Sequence, residues 1–294
     1  SALRKIPKGG AFYSMLLNEV GGIIDDIYLY KRAADRYLMI VNAANRTKAL
    51  KWLAKHLPEN GPTLEDVTEE TALIALQGPK SWEILQRIMP FSKTAIALRK
   101  FVDVELVPVR GTKVLIARTG YTGEKGYEIV IPTASAVAVW QALMDAGSEF
   151  ALKPAGLGAR DTLRLEMGYP LYGQEMDENT TPLEASLARF VDFEKDFIGK
   201  ERLLEQKASG VPRKLLGFEL LGRGIPRAGQ LIYSDQKEVG QVSSGNYAPS
   251  LQKGIGMAYV DVAYSEPGSE LLVDIRGKAT AVSVVKKPFY RKKK

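Results

Sequence analysis

Apolar and polar residues alternate along much of the chain, and stretches with helical spacing of apolar residues separate the alternating segments. Alternation with period two predicts strands, because successive side chains of a strand point to opposite faces. These predicted strands span 11–17, 21–30, 36–42, 72–76, 102–109, 114–117 and 127–131. Apolar positions at helical spacing predict helices over 46–57, 80–89, 135–150, 162–167 and 200–205. This mixture of strands and helices predicts an α+β fold up to about residue 205.

Only short strands with frequent glycines follow position 211. They span 214–220, 230–233, 239–243, 254–260, 270–275 and 280–285. Strands at this spacing with no helix between them predict a small all-β barrel or sandwich. The stretch 206–212 is polar and contains glycine and proline, so it is the predicted boundary before the β module. This boundary separates an α+β body from an all-β module that begins at residue 211.

Reactive side chains are scarce, since the sequence holds no cysteine and a single histidine, His56. The absence of cysteine excludes disulfides, thiolate zinc sites, iron–sulfur ligation and cysteine nucleophiles. A single histidine excludes histidine-rich metal sites, and a Ser-His-Asp triad would have to use His56, which we interpret as a helix-surface or partly buried residue. In an enzyme of this composition, we expect Asp, Glu, Tyr, Lys or Arg to be the acid–base groups.

The chain is basic, because 41 Lys and Arg against 34 Asp and Glu give a net charge of +7. This charge favours an acidic partner: a nucleic acid, an anionic protein or a polyanionic ligand. No apolar run reaches the ~18 residues of a membrane span, which predicts a soluble protein. The sequence opens at Ser1 without methionine, which indicates a fragment or a processed product. We interpret the closing lysines, 292–294, as a solvated tail.

The densest polar cluster within a predicted strand is the sequence GGIIDDIYLY at 21–30. Alternation places Asp26 on the same face as Tyr28 and Tyr30, and tyrosines often line ligand cavities because they are apolar with a polar tip. Asp25 lies on the aliphatic face, where it needs an arginine or backbone N–H partner. The alternative is that both aspartates merely end a strand near solvent.

A second cluster, RTGYTGEKGYE at 118–128, combines three glycines and two threonines in a short loop before a strand. Loops of this kind bring backbone close to a ligand, and Glu128 follows in the strand. A phosphate loop is excluded because the Gly-Lys-Ser/Thr ending is absent. A plain hairpin turn is the alternative.

The third cluster is PAGLGARDTLRLE at 154–166. Its Gly-x-Gly is only half of a dinucleotide fingerprint, with no clear strand before it and no third glycine, which argues against nicotinamide binding. Arg160 and Arg164 are four residues apart and present one cationic edge, unless they pair with Asp161 or Glu166.

Taken together, these clusters resemble the glycine cleavage system T-protein family, the aminomethyltransferases. The resemblance covers essentially the whole chain in family order. It rests on GGIIDD at 21–26, VNAANR at 41–46, ALQGP at 75–79, RTGYTGEKGYE at 118–128, PAGLGARDTLRLE at 154–166, LYGQEMDENTTPLEASL at 171–187, DFIGKE at 196–201, GIPRAG at 224–229, SSGNYAPSL at 243–251 and VVKKPFY at 284–290. Family members carry an earlier segment, with a Ser-His-Met stretch whose methionine helps line the folate site, and the printed sequence holds no counterpart of it.

The resemblance implies a three-domain cloverleaf around a central folate channel, with predicted domains at 1–68, 69–210 and 211–294, the last of them the β-barrel domain. It also implies the reaction. The aminomethyl group on the dihydrolipoyl arm of the lipoylated H-protein is split, ammonia leaves, and the one-carbon unit passes to tetrahydrofolate, giving methylene-tetrahydrofolate. A folate nitrogen is the nucleophile and an iminium-like carbon the electrophile, so the protein needs no nucleophile or metal of its own. It supplies positioning and a carboxylate near developing positive charge.

The resemblance also implies roles for individual residues. Asp26 corresponds to the family's essential aspartate, expected to orient the folate and stabilise cationic or proton-transfer states. Glu128 corresponds to the residue that accepts hydrogen bonds from the donor edge of the pterin. The expected walls and polar contacts of the folate site are Tyr13, Tyr30, Tyr121, Asn42 and Arg160.

Other functions fit less well. Relatives in iron–sulfur assembly carry a Lys-Gly-Cys-Tyr-type motif, and tRNA-modifying GTPases need a phosphate loop; neither feature is present. The alternatives that stay open are a non-catalytic folate-binding module and a subunit of a folate-dependent demethylating oxidase. A basic RNA-binding protein is less favoured, because no basic stripe interleaved with aromatics occurs. The expected location is the cytoplasm or, alternatively, the mitochondrial matrix.

Overall fold

The computed structural model describes residues 6–89, 96–109 and 111–291. The chain opens with a three-stranded sheet in the order β1-β2-β3, followed by a helix. Its elements are β1 (Ala11–Leu17), β2 (Ile23–Lys31), β3 (Tyr37–Ile40) and α1 (Arg46–His56). The predicted strands and helix are confirmed. His56 lies partly buried on α1 with its ring 4.5 Å from that of Trp52, which also confirms the prediction made for it.

A four-stranded antiparallel sheet with two helices comes next, in the order β4-β7-β6-β5. Its elements are β4 (Thr71–Gln77), α2 (Ser81–Ile88), β5 (Phe101–Glu105), β6 (Lys113–Ala117), β7 (Gly126–Pro132) and α3 (Ala136–Gly147). One face of the sheet packs against α2 and α3 through an apolar core that includes Leu85, Ile116, Ile129 and Leu143. Arg110, between the predicted strands 102–109 and 114–117, lies outside the described residues.

Two helices differ from their predicted bounds by four residues or more at one end: α4 spans Leu157–Glu166 and α5 spans Lys200–Ser209. The first turn of α4 is exposed, so it carries no apolar spacing to reveal it, and Thr162 Oγ1 donates to the Gly158 carbonyl inside the helix at 2.8 Å. Continuation of α5 means that the predicted linker 206–212 is helical over its first four residues. The helix ends at Gly210, whose φ of +86° suits glycine.

The C-terminal strands form a closed antiparallel barrel in the order β10-β11-β8-β13-β12-β9. They are β8 (Arg213–Leu220), β9 (Leu231–Ser234), β10 (Lys237–Ala248), β11 (Lys253–Asp261), β12 (Glu270–Ile275) and β13 (Lys278–Val285). Closure leaves no edge strand unpaired. An α+β fold with a C-terminal all-β barrel is therefore confirmed.

Alternation decides which side chains fill the barrel. On β8, Phe218 belongs to the inner core, whereas the neighbouring Leu215 faces a second cluster outside the barrel. On β11, Val260 is internal and Met257 external. The outer cluster includes Leu165 of α4, so this helix covers the outside of these strands.

The contact pattern divides the described residues into two compact units. The barrel unit comprises 14–27 and 157–291, and the sheet–helix unit comprises 6–13 and 28–156. The divisions fall inside β1 and β2. The three-domain division stays a prediction.

Candidate active site

The turn before β2 fixes the start of the strand that carries the two aspartates. Asn18 Oδ1 accepts the N–H groups of Val20 at 3.1 Å and Gly22 at 2.7 Å, and its Nδ2 donates to the Glu178 carbonyl at 2.9 Å. The Ile23 N–H lies 3.0 Å from the carbonyls of residues 177 and 180. These bonds tie the strand to a segment about 160 residues later within the barrel unit.

The two glycines of this turn are required for different reasons. Gly21 has φ of +82°, a conformation that glycine adopts without steric cost. Gly22 is needed for space, because a Cβ added there would lie 1.8 Å from the Glu178 carbonyl oxygen. The turn therefore admits no side chain at position 22.

The aspartates on β2 differ in exposure. Asp25 is 0% exposed, and its neighbours on that side of the strand, Ile23 and Ile27, are also buried. Asp26 is half-buried, on the opposite side of the strand. Asp26 is thus the carboxylate of this pair that has solvent contact, and both belong to the barrel unit.

Tyrosines gather in the sheet–helix unit. The ring centroid of Tyr28 lies 6.4 Å from that of Tyr13 and 5.5 Å from that of Tyr30. Tyr30 also packs edge-on against Phe101 at 5.7 Å and is only 1% exposed, so it is a core residue. Tyr13 and Tyr28 remain half-buried. Tyr28 was not among the predicted site residues, although it shares the predicted face.

Glu128 lies in β7 at the middle of the sheet face opposite α2 and α3. Its partners across the neighbouring strands are the small residues Ala75 and Ala117, and Glu128 itself is half-buried. The Thr119 hydroxyl donates a hydrogen bond to Glu128 Oε2. Burial raises the pKa of Tyr30, the negative charge of Glu128 raises it further, and a hydrogen bond with Thr119 acts in the opposite direction. Tyr30, Thr119 and Glu128 therefore form one electrostatic cluster.

The loop before β7 is organised around the side chain of Gln77, at the end of β4. Gln77 Nε2 lies 3.3 Å from the carbonyl oxygens of both Thr119 and Tyr127, and Thr122 Oγ1 donates to Gln77 Oε1 at 3.0 Å. A Cβ at Gly120 or Gly126 would lie 2.1 or 2.2 Å from Gln77 Oε1. The glycines of the motif are therefore needed to admit this glutamine.

Two further predicted residues belong to the same unit. Tyr121 is half-buried in the loop that Gln77 organises. Asn42 is half-buried just before α1, and its carbonyl accepts the Asn45 N–H at 2.9 Å. The sheet–helix unit thus contains Tyr13, Tyr30, Asn42, Tyr121 and Glu128.

The two arginines of α4 lie in different surroundings, so they present no shared cationic edge. Arg160 is exposed, whereas Arg164 is buried and pairs with Asp161 at 2.7 Å and Glu175 at 2.9 Å. Glu166 accepts the Ser250 N–H at 3.0 Å. The predicted alternative of ion pairing is confirmed for Arg164 with Asp161.

The Arg164–Glu175 pair lies in a buried network that the sequence did not indicate. Glu175 accepts bonds from Ser243 Oγ at 2.6 Å and the Leu171 N–H at 3.0 Å, and Arg164 donates to Ser244 Oγ at 2.8 Å. These bonds satisfy both buried charges, as burial of an ion pair requires. The network fastens α4 to β10.

Lys287 is a second unpredicted feature of the barrel unit. Its methylenes occupy the space where a Cβ at Gly168 or Gly217 would lie, and its Nζ is 3.9 Å from Met257 Sδ. Burial lowers the pKa of Lys287 to about 8, although the charge of Glu175 acts the other way. The cation is therefore held where protonation is costly.

A cavity of about 410 Å³ lies at the start of α5. Its lining includes Glu19, Asp196 and Glu201, and it takes in none of the predicted site residues. Among residues 6–89, 96–109 and 111–291, no group of three or more His, Asp or Glu side chains could hold a metal ion. No helix in the described part of the chain is long and apolar enough to cross a membrane.

Comparison with known proteins gives consistent results over nearly the whole chain. Residues 1–195 match the family model described as the GCVT N-terminal domain, and residues 213–291 match the glycine cleavage T-protein C-terminal barrel domain. The chain is 44% identical over 291 residues to an aminomethyltransferase of Caldanaerobacter subterraneus subsp. tengcongensis, covering 99% of the chain and 77% of that protein. It is 46% identical over 286 residues to an aminomethyltransferase of Halothermothrix orenii, covering 97% and 79%.

A solved structure is similar as well. The crystal structure of glycine cleavage system aminomethyltransferase T from Bartonella henselae superposes with a TM-score of 0.87 at 32% sequence identity. The match covers 98% of this chain and 78% of that one.

Proposed function

Because the chain belongs to the glycine cleavage T-protein family of aminomethyltransferases, and is thus a transferase, we propose that its donor is the lipoylated H-protein and its acceptor tetrahydrofolate. Two bonds of the aminomethyl carbon break, the one to sulfur and the one to the departing nitrogen, and the carbon forms bonds to two folate nitrogens. Their two protons go to the departing ammonia and to the dihydrolipoyl sulfur. The products are ammonia, the reduced arm and methylene-tetrahydrofolate.

Glu128 carries the folate part of the proposal. A carboxylate accepts two N–H bonds side by side, as the donor edge of a pterin ring presents them. The small partners Ala75 and Ala117 leave room beside the carboxylate for a flat ring. Tyr13, Tyr30 and Tyr121 are proposed walls of this site, with Asn42 and Arg160 as polar contacts.

Asp26 carries the chemical part. It is the half-exposed carboxylate of β2, and strand alternation gives it the same side as the tyrosines that follow. We assign it the orientation of folate and the stabilisation of cationic or proton-transfer states, because a fixed negative charge favours a developing positive one.

The decisive experiment is the Asp26→Asn variant. We expect its rate of methylene-tetrahydrofolate and ammonia formation from aminomethylated H-protein to fall about a hundredfold or more, since the fixed charge is lost. The dissociation constant for tetrahydrofolate, measured by calorimetric titration, should change by less than about threefold.

Asp235→Asn is the matched control, because Asp235 is exposed in a barrel turn with φ of +54°, a conformation that asparagine adopts readily. Unchanged turnover in Asp26→Asn would remove the role assigned to this carboxylate. A wild-type chain that transfers no one-carbon unit to tetrahydrofolate would refute the function itself.

A further inference from the structure

The carboxylate of Glu128 is held by Thr119, and the peptide of Thr119 is held in turn by Gln77; neither residue has a role in the reaction described so far. We propose that they are positioning residues, which fix the plane of the Glu128 carboxylate and thereby determine recognition of a pterin ring. This inference rests on the proposed function, because it concerns the same folate site.

Thr119 acts directly on the carboxylate. Its hydroxyl donates to Glu128 Oε2, and the side chain is buried with 8% exposure. A hydrogen bond to an ionised oxygen is short and directional, so it restricts rotation of the carboxylate about its last torsion. A ring edge with two N–H groups requires both oxygens in one plane, and this bond supplies that constraint.

Gln77 acts one step further away, by holding the peptide of Thr119. Its Nε2 lies 3.3 Å from the carbonyl of Thr119 at one end of the loop and 3.3 Å from that of Tyr127 at the other. Its Oε1 accepts the Thr122 hydroxyl at 3.0 Å, so the orientation of the amide is determined at both ends. The loop that carries Thr119 is thus closed around a single side chain.

Substrate selection offers a reason for this arrangement. The half-buried Glu128 has alanines as its cross-strand partners on both sides. Such small partners do not restrict the Glu128 side chain to a single rotamer. Each unproductive rotamer lowers the affinity for the pterin by the fraction of time it is occupied. The bond from Thr119 raises the productive fraction before the ligand arrives.

The test compares Thr119→Val, which removes the hydroxyl at nearly constant volume, with Thr119→Ser, which keeps it. The dissociation constant for tetrahydrofolate is measured by titration, and KM and kcat by turnover with aminomethylated H-protein. We expect Thr119→Val to raise the dissociation constant and KM about tenfold with kcat changed less than about twofold, and Thr119→Ser to stay within about twofold of wild type.

The matched control is Thr133→Val, since Thr133 is exposed and donates to the Glu69 carbonyl at 2.9 Å, away from Glu128. Thermal melting of each variant is recorded beside the titrations. Should Thr119→Val not fold, Gln77→Met serves instead, because it removes the bond to the Thr119 carbonyl and leaves the hydroxyl.

Wild-type affinity in Thr119→Val, or an equal loss in Thr119→Ser, overturns the inference. An equal loss in Thr133→Val does the same, because the effect would then be general. These outcomes leave the proposed function intact as long as the wild-type chain binds tetrahydrofolate and forms methylene-tetrahydrofolate. If the wild type does neither, the proposed function fails and takes this inference with it.

Discussion

Lys287 shows how much one poorly solvated cation can lower the free energy of unfolding. The unfolded chain holds the lysine proton up to its ordinary pKa of 10.5, whereas in the folded chain the pKa is about 8. Between these two values the unfolded chain binds more protons, so the free energy of unfolding rises with pH. Below about pH 8 the full cost of the buried charge is present.

We therefore expect Lys287→Met to raise the free energy of unfolding by about 2 kcal/mol at about pH 7. The advantage over wild type should shrink as the pH approaches about 10, because the wild-type lysine then loses its proton. Denaturant unfolding at both pH values measures the effect. Lys286→Met, at the exposed neighbouring position, is the control, and a Lys287→Met variant less stable than wild type at neutral pH contradicts the prediction.

Site residues that belong to a local motif could be predicted from the sequence. Residues that join the site only through a contact with a distant position could not. Glu128 and its glycine loop stand out in the sequence, and so does Asp26 beside its tyrosines. The bond from Thr119 to Glu128 joins positions 9 apart, and that from Gln77 to Thr119 joins positions 42 apart. Periodicity acts over a few residues and carries no information about such pairs. The glycines at 120 and 126 were the visible trace of Gln77, because only the absence of a Cβ admits its amide.

Elements of regular structure depend on a few positions where two backbones approach closely. The turn between β1 and β2 is one of them, since Gly22 lies against the carbonyl of Glu178. The first turn of α4 is the opposite case, because a Cβ at Gly158 would meet nothing within 4 Å.

Alanine at these two glycines should therefore have effects of opposite sign. Gly22→Ala should lower the free energy of unfolding by about 3 kcal/mol or more, because the turn and the Glu178 segment must separate. Gly158→Ala should raise it by about 0.5–1 kcal/mol, because glycine is a poor helix former. Chemical denaturation of both variants measures the difference, and equal stability of Gly22→Ala and wild type would refute the contact as described.

Most strands begin and end within two residues of their predicted bounds; the exceptions are β5, predicted over 102–109, and β10, predicted over 239–243. The prediction for β1 was 11–17 and for β12 was 270–275, and both strands have these bounds. β12 buries alternate side chains, which leaves a clear periodic signal, whereas the buried side chains of β1 include the adjacent pair Leu16 and Leu17. The missed turns of α4 and α5 are largely exposed, and an exposed helical turn needs no apolar residue to form.

At the scale of the whole molecule, net charge is the property that a partner meets first. The chain carries +7, and an acidic carrier protein or a nucleic acid would each be attracted by it. The two partners can be distinguished by the effect of salt on catalysis. Only the carrier protein delivers a substrate, so only its binding affects KM.

We expect KM for aminomethylated H-protein to rise several-fold between about 50 and about 300 mM NaCl, with kcat nearly constant, because screening weakens charge attraction. Steady-state kinetics at each salt concentration give both KM and kcat. A nonspecific RNA oligonucleotide serves as the comparison and should not compete with H-protein. RNA binding that falls steeply with salt, together with an H-protein KM that does not respond, would favour the nucleic-acid function instead.

The barrel unit takes its early residues, 14–27, from a part of the chain that leaves the ribosome long before residues 157–291. The backbone partners of Ile23 in this unit, the carbonyls at 177 and 180, are made only after the whole sheet–helix unit has been synthesised. The start of the aspartate-bearing strand therefore lacks these backbone partners until residues 177–180 have been translated. Nascent chains that stall before the barrel emerges would present this apolar segment to chaperones and proteases.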